Sequence, residues 1–414
     1  MHVALGLAMT VSESRPRFRI AMVSPQFRPT VGGYERAAER LSAALAQLGH
    51  GVTVLTDRRE RAWATLDVMN GFTVRRLFSI WRPGLHGLSL AASYAFFLLA
   101  HGRRFHIVHC HQYGLIAGVA LVLGRFNGSK TVMKITSTGP SGIATMLEGR
   151  SWRARLLRWA HRLLDGAIVT SADAEREARD FFLPHTRICR IPNGIELGSF
   201  GLLTPPEKAD LRARLKLGDG PVAIYVGRLQ EEKNILGLLE AWRAVAARFT
   251  SAQLVVIGDG PQRASAEAMA AKHGNQGSVL FCGELPDVSS WYQAADVFVL
   301  PSVFEGLSNS LIEAMSSGLG VVSTDVSGSR DIFRETDIGE MVDCGDTNAF
   351  AAALMRLFDD PQRRRQCGQR ARAYAEATFS LSVVASRTEE FYATVLRPRP
   401  RLENSAPKPG PVAL

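Results

Sequence analysis

What most constrains this 414-residue chain is an alternation that occurs twice, in which short β-branched runs are separated by segments of helical periodicity. Strands and helices alternating in this way build a parallel sheet whose crossovers lay helices on both faces. In the first half, residues 18–23, 51–55, 107–109, 130–135, 166–170 and 186–191 read as strands. In the second half, 222–226, 253–257, 279–282, 297–300 and 320–323 do the same. Between the two series lie Pro205, Pro206 and a charged helical piece, the composition of an interdomain connection. The expected fold class is α/β, with two doubly wound, Rossmann-like domains facing across a cleft. The expected boundaries are 17–198 for the first domain, 199–220 for the connection and 221–378 for the second domain. A helical pattern over 380–396 follows, and the proline-rich tail 397–414 reads as disordered.

A chain of this length is ample for two full cores. Its cysteines, Cys110, Cys189, Cys282, Cys344 and Cys367, are scattered and odd in number, which supports neither a disulfide framework nor a zinc site. A reducing cytoplasm fits that usage. The first ten residues lack a basic leader and a cleavage site, so no secretory leader is expected. The longest apolar run, 88–100, falls short of the roughly 18 residues a spanning helix needs. The formal charge of +10, from 49 basic and 39 acidic residues, fits nucleic acid, an anionic membrane or a phosphorylated ligand. No interleaving of aromatic and basic residues of the nucleic-acid-binding kind occurs, so nucleic acid is not an expected partner.

The chemistry gathers where strands give way to helices. Gly32 and Gly33 separate the first strand from a helical pattern over 37–48, and glycines there let backbone amides approach an anion at a helix N-terminus. A tight turn would use the same pair. In Tyr225-Val-Gly-Arg-Leu-Gln-Glu-Glu-Lys-Asn234, Arg228 and Lys233 lie just past a strand's carboxyl end, where two cations could neutralise a diphosphate. The bland reading is a solvated loop with Lys233 paired to Glu231 or Glu232. After Pro301, Gly306 relaxes a turn and Ser308 or Asn309 can cap a helix whose free amides would point at an anion. Glu305 and Glu313 flank that helix start; most carboxylates so placed are merely solvated.

Taken in order, Val31-Gly-Gly-Tyr-Glu35, His109-Cys-His111, Pro192-Asn-Gly-Ile-Glu196, Tyr225-Val-Gly-Arg228 with Lys233, Ile257-Gly-Asp-Gly-Pro261 and Phe304-Glu-Gly-Leu307 with Glu313 make a more specific pattern than any one of them. From Arg17 to about Val395 the chain resembles the retaining glycosyltransferases of family four, the glycogen-synthase-like group with the GT-B fold. The resemblance implies transfer of a hexosyl group from a nucleotide-diphosphate sugar to a saccharide acceptor, lipid-linked, in cell-surface polysaccharide synthesis. It implies Arg228, Lys233, Glu305 and His111 as catalytic residues, and Gly32, Gly33, Gly227, Gly306, Leu307, Ser308 and Glu313 as donor-binding residues. Arg228 and Lys233 would hold the diphosphate, Glu305 the sugar hydroxyls, Glu313 the ribose, and His111 would face the anomeric centre. No Asp-x-Asp occurs, so no metal or other cofactor is expected, and protein cations take the metal's place.

The chain departs from the family pattern in two places. Lys134 stands where many relatives have histidine, and either binds an anionic donor or acceptor or pairs with a local carboxylate. In Ser327-Gly-Ser-Arg330 the usual double glycine is broken. Over 151–164, Trp152, Leu156, Trp159, Ala160 and Leu163 project to one face and Arg155, Arg158 and Arg162 to another. That pattern suits a helix on an anionic membrane and equally a core helix with a basic outer side. The expected location is cytoplasmic, or peripheral on the inner face of the membrane. The rival readings are a nucleotide-sugar epimerase of the same fold and a transferase acting on a soluble small molecule.

Overall fold

The computed structural model describes residues 17–29, 33–136, 152–182, 184–275 and 277–398, apart from the side chains of 152, 153 and 161. Gly32 and the tail beyond 398 lie outside the described residues. In the first half, β1 (Arg19–Val23) leads into α1 (Gly33–Gln47) and β2 (Gly51–Asp57). A hairpin of β3 (Leu66–Met69) and β4 (Phe72–Leu77) follows, then α2 (His86–His101), β5 (Ile107–Cys110), α3 (Leu115–Phe126) and β6 (Lys130–Ile135). Next come α4 (Trp152–His161), β7 (Gly166–Val169), α5 (Ala172–Phe181) and β8 (Arg187–Arg190). These strands form one eight-stranded sheet in the order β3-β4-β2-β1-β5-β6-β7-β8, parallel except where β3 meets β4.

After α6 (Pro205–Arg214), the second half runs β9 (Val222–Val226), α7 (Ile235–Arg248), β10 (Gln253–Ile257), α8 (Arg263–Lys272), β11 (Val279–Gly283), α9 (Ser289–Ala294) and β12 (Val297–Leu300). It continues through α10 (Asn309–Ser316), β13 (Gly320–Thr324), α11 (Ser327–Glu335), β14 (Gly339–Val342), α12 (Thr347–Asp359) and α13 (Pro361–Phe379) to α14 (Leu381–Leu396). Its sheet is six-stranded and parallel, in the order β11-β10-β9-β12-β13-β14. In each sheet the chain reverses its direction of winding at the first strand, β1 or β9. Such switch points are where open α/β sheets bind ligands, outside the carboxyl ends of the strands.

Burial on both faces explains the unbroken apolar runs, as in Ile20, Ala21, Met22 and Val23. On the first sheet, α2, α3, α4 and α5 cover one face through Tyr94, Leu98, Leu121, Ala160 and Ala178. The opposite face packs against α1 and α14 through Leu41, Leu45, Phe391 and Tyr392. Helix α14 therefore belongs to the first sheet's core although it ends the described chain. The amide of Ile195 donates to the Phe379 carbonyl at 2.8 Å, and the amide of Leu381 donates to the Ile195 carbonyl at 3.1 Å. These bonds tie together the two places where the chain passes between the halves.

The structure adds β3, β4 and β14 to the expected strands. The β3–β4 hairpin turns on Asn70 and Gly71, with φ of 44° and 84°. Asn-Gly between strand-forming residues is a strong local hairpin signal, so this pair was legible. The four residues of β14, Gly-Glu-Met-Val at a sheet edge, carry too little pattern to read. Helix α4 also corrects the expected face. Ala154, Leu157 and Ala160, with Leu164 just beyond the helix, are buried, whereas Trp159 is 49% exposed and shares the outer side with Arg155, Arg158 and Arg162. Small residues decide this: Ala154 and Ala160 allow close packing, and Leu157 lies so near Gly118 of α3 that a Cβ there would meet it at 3.1 Å.

Candidate functional site

A cleft of about 1240 Å³ opens between the carboxyl ends of the two sheets. Its base is made by two strand-end loops packed backbone to backbone. The Gly227 amide donates to the Ile257 carbonyl at 3.0 Å, and the Leu229 amide to the Asp259 carbonyl at 2.9 Å. Gly258 sits at φ +133°, and a Cβ there would lie 2.0 Å from the Gly227 oxygen. Only glycine fits that approach. The Gly-Asp-Gly motif thus sets the position of the loop that carries Arg228 and Lys233.

Arg228 is exposed at the cleft and takes part in no ion pair among the described residues. Lys233 closes a short 3₁₀ turn, after which Asn234 at φ 52° accepts a hydrogen bond from the Gly237 amide and starts α7. Its ammonium does not pair with Glu231 or Glu232 but reaches across to the Glu305 carboxylate. Glu305 also accepts from the Ser302 hydroxyl at 3.4 Å. The loops after β9 and β12, distant in sequence, therefore meet as one ion pair within the cleft.

Beyond Glu305, Ser308 precedes α10 with extended backbone and makes no side-chain cap. Its hydroxyl instead meets that of Ser310 at 2.9 Å. The first amides of α10 are left without a capping side chain beside the cleft, where the helix dipole favours an anion. Gly306 is pinned by Gly328, whose amide donates to its carbonyl at 3.0 Å and whose Cβ position would fall 2.3 Å from that oxygen. The broken double glycine therefore keeps the glycine that contact requires. In place of the second glycine, the buried Ser329 hydroxyl accepts from that of Ser323 at 2.8 Å, and Arg330 donates to Asp325 at 2.7 Å.

The first half supplies the opposite wall through α1. Gly33, Arg36 and Arg40 line it, and Arg40 stands 3.8 Å from Glu313. Glu313 is almost fully buried and accepts from the Tyr292 hydroxyl at 3.3 Å. Burial raises its carboxyl pKa, against the opposing pull of Arg40 and Arg36. A raised carboxyl pKa means that stability is full below the unfolded value of 4.5 and declines as pH rises through the folded one. Glu313→Gln is therefore expected to match the parent in melting temperature at pH 4 and to exceed it progressively towards neutral pH. A constant difference across a pH series of thermal melts would refute this.

Further contacts hold the halves together. Asn193 donates to Asn309 at 2.8 Å, the Ala172 amide at the start of α5 donates to Asp331 of α11 at 2.6 Å, and Arg330 reaches Asp173 at 3.3 Å.

Of the residues singled out from sequence, Gly33, Gly227, Arg228, Lys233, Glu305, Gly306, Ser308 and Glu313 line this one cleft. Leu307 packs against the core instead. His111 and Lys134 are not among the lining residues; they sit at the carboxyl ends of the adjacent strands β5 and β6. Burial, then the Lys134 charge, holds His109 down at about 3, and His111 is likewise held well below the usual range. Both imidazoles are neutral at physiological pH. Sequence reasoning missed Arg36 and Arg40, took Asn309 only as a helix cap and gave Asn193 no role of its own. Two arginines four apart behind a glycine loop were a readable signal; the asparagine pair acquires meaning only when the halves face each other.

Residues 31–199 match the family model for Glycosyltransferase Family 4, and residues 207–374 match that for Glycosyl transferases group 1. The chain is 28% identical over 299 residues to the alpha-D-kanosaminyltransferase of Streptomyces kanamyceticus, covering 70% of this chain and 77% of that one. It is 27% identical over 414 residues to the glycogen synthase of Mycobacterium tuberculosis, covering 93% and 97%. In fold it is similar to Anabaena HepE, solved in complex with UDP, with a TM-score of 0.74 at 16% identity over 91% of this chain and all 100% of that one.

Proposed function

The chain belongs to glycosyltransferase family four and has the GT-B fold, and from that premise we propose a retaining, metal-independent hexosyltransferase that uses a nucleotide-diphosphate sugar. The observation that carries this reading is the convergence in one cleft of Arg228, the Lys233–Glu305 pair and the uncapped start of α10. When a sugar leaves a diphosphate, positive charge develops at the anomeric carbon and negative charge on the departing oxygen. The catalytic demand is electrostatic stabilisation of that oxygen. Arg228, Lys233 and the α10 amides meet it without a metal.

The ion pair suits this role. With the cleft empty, Lys233 and Glu305 neutralise each other; a bound diphosphate draws the ammonium away, and Glu305 is freed to accept hydrogen bonds from the sugar hydroxyls. Glu313, between Arg40 and Tyr292, is placed for the ribose. Retention follows if the acceptor hydroxyl attacks the face from which the phosphate departs. The carbon–oxygen bond to phosphate breaks with its electron pair going to phosphate, and the acceptor's proton passes to that same phosphate oxygen.

The acceptor in this reading is a saccharide, lipid-linked and used in cell-surface polysaccharide synthesis, with the enzyme peripheral on the cytoplasmic face of the membrane. Its support is the exposure of Phe96 and Leu99 on α2, Phe126 on α3 and Trp159 on α4, together with that of Arg155, Arg158 and Arg162. Apolar rings among arginines suit the interface of an anionic bilayer. No described helix is long and apolar enough to cross one.

Thermal melts against a panel of nucleoside diphosphates and their sugars test the donor site. A ligand at one hundred times its Kd stabilises by about 2.7 kcal/mol. One nucleotide is expected to do so, and equally in EDTA. Loss of the effect in EDTA would overturn metal independence, and stabilisation by none of them would overturn the donor site.

A further inference from the structure

Lys134 is the buried cation that the donor cleft does not use. It is 5% exposed, and its side chain makes no hydrogen bond or ion pair among the described residues. Burial pushes its ammonium down to about 8, and no carboxylate among the described residues pairs with it. Burying most of a cation without a counter-charge is costly, and folded proteins normally pair it.

Its neighbours include two neutral imidazoles. Lys134 and Val132 project to the face of the sheet packed by α1 and α14, as does His109. The carboxyl end of β6 lies beside that of β5, with Met133 opposite Cys110. His111 follows directly, its ring 4.6 Å from that of His109. The Lys134 charge depresses both imidazoles. His109 Nδ1 is 2.6 Å from the Tyr392 hydroxyl of α14, while the Nε2 atoms of His109 and His111 are buried without partners. With Tyr392 donating to Nδ1, His109 carries its proton on Nε2 as an unsatisfied donor. An ammonium and orphaned imidazole nitrogens, at the sheet end where ligands bind, lack only an acceptor with negative charge.

We propose that Lys134 and His111 form the anion-binding end of an acceptor subsite, so that the saccharide accepting the transferred sugar carries a carboxylate or a phosphate ester. The donor diphosphate is not that anion, because its candidate cations, Arg228 and Lys233, line the cleft and Lys134 does not. The proposal rests on the transferase reading for the word acceptor, while the anion site itself rests on Lys134 and the histidines alone.

Calorimetry on the full chain, saturated with the nucleoside diphosphate that stabilises it most, tests this with glucose 6-phosphate, glucuronate and glucose as probes. At least one charged sugar is expected to bind tenfold or more tightly than glucose, and Lys134→Met to abolish that preference. Lys134→Gln serves the same purpose should the methionine variant fail to fold. Preference for the phosphate ester alone identifies a phosphorylated acceptor, and preference for glucuronate an acidic sugar. Equal binding of all three by the parent, or an undiminished preference in the variants, would overturn the site. Nucleotide-sugar consumption by the same protein, free of added diphosphate, separates the two claims: a parent that binds anions through Lys134 but consumes no nucleotide sugar would overturn the transferase reading and leave the anion site standing.

Discussion

Lys233→Met is expected to lower kcat by about 10²–10³-fold, the loss of roughly 2.7–4 kcal/mol that follows removal of one charge-stabilising donor from a preorganised site. The geometry makes the effect specific. Lys233 is held by the turn before α7 and meets Glu305 from the loop after β12, so its position is set by two separate strands. Methionine keeps the length of the chain and removes the charge. It also leaves Glu305, its side chain 15% exposed, without its ion-pair partner and with only the long hydrogen bond from Ser302. A partly buried carboxylate so orphaned lowers stability by about 1 kcal/mol, or a few degrees in Tm. The double variant Lys233→Met/Glu305→Gln should recover those degrees without recovering turnover. Turnover within tenfold of the parent would remove Lys233 from the leaving-group role.

The second large effect belongs to Gly258→Ala. Its Cβ would be placed 2.0 Å from the Gly227 oxygen, at a φ of +133° that L side chains rarely adopt. Backbone strain and overpacking each contribute about 1–3 kcal/mol, so a loss of roughly 3 kcal/mol, near 10 °C in Tm, is expected. Relief requires the loop after β9 to move, carrying Arg228 with it, so nucleotide affinity should fall along with stability. Gly345→Ala is the control: its φ is +86° but nothing lies within 4 Å of the added Cβ. That variant should show only the conformational part, about 1 kcal/mol, and unchanged nucleotide binding. Calorimetric melts of the two that agree within 2 °C would show that the close approach of the loops is unimportant.

These residues also show how far the sequence could be read. The paired α/β halves follow from local chemistry, because a parallel strand buried on both faces must be apolar along its length and its crossover must carry a helical stripe. Ile20 to Val23 and Val222 to Tyr225 meet that requirement, and each is essentially inaccessible. The loops at the strand ends were legible for a related reason: glycine at 33, 227, 258 and 306, with charge close by, marks backbone approaching something anionic or another backbone. At Gly258 the neighbour is the Gly227 carbonyl, and at Gly306 it is Gly328.

Pairing was not legible. Lys233 had Glu231 and Glu232 as sequence neighbours and chose Glu305, because the end of β12 faces the end of β9 in the folded sheet. Trp159 projected with the apolar residues of its helix and turned outward, because two alanines allowed α3 a closer approach than an indole would. His111 and Lys134 looked like separate candidates and became one donor-rich corner once β5 and β6 lay side by side.

The sequence by itself determined the two doubly wound sheets, their strand-end glycines and the cations that follow them, since each of these obeys rules acting over a few residues. Only the tertiary structure decided which charge meets which, that Arg40 of the first half faces Glu313 of the second, and that Lys134 meets no carboxylate among the described residues. Those outcomes depend on distances between segments 72 or more residues apart, which burial of the two cores settles and local pattern does not encode.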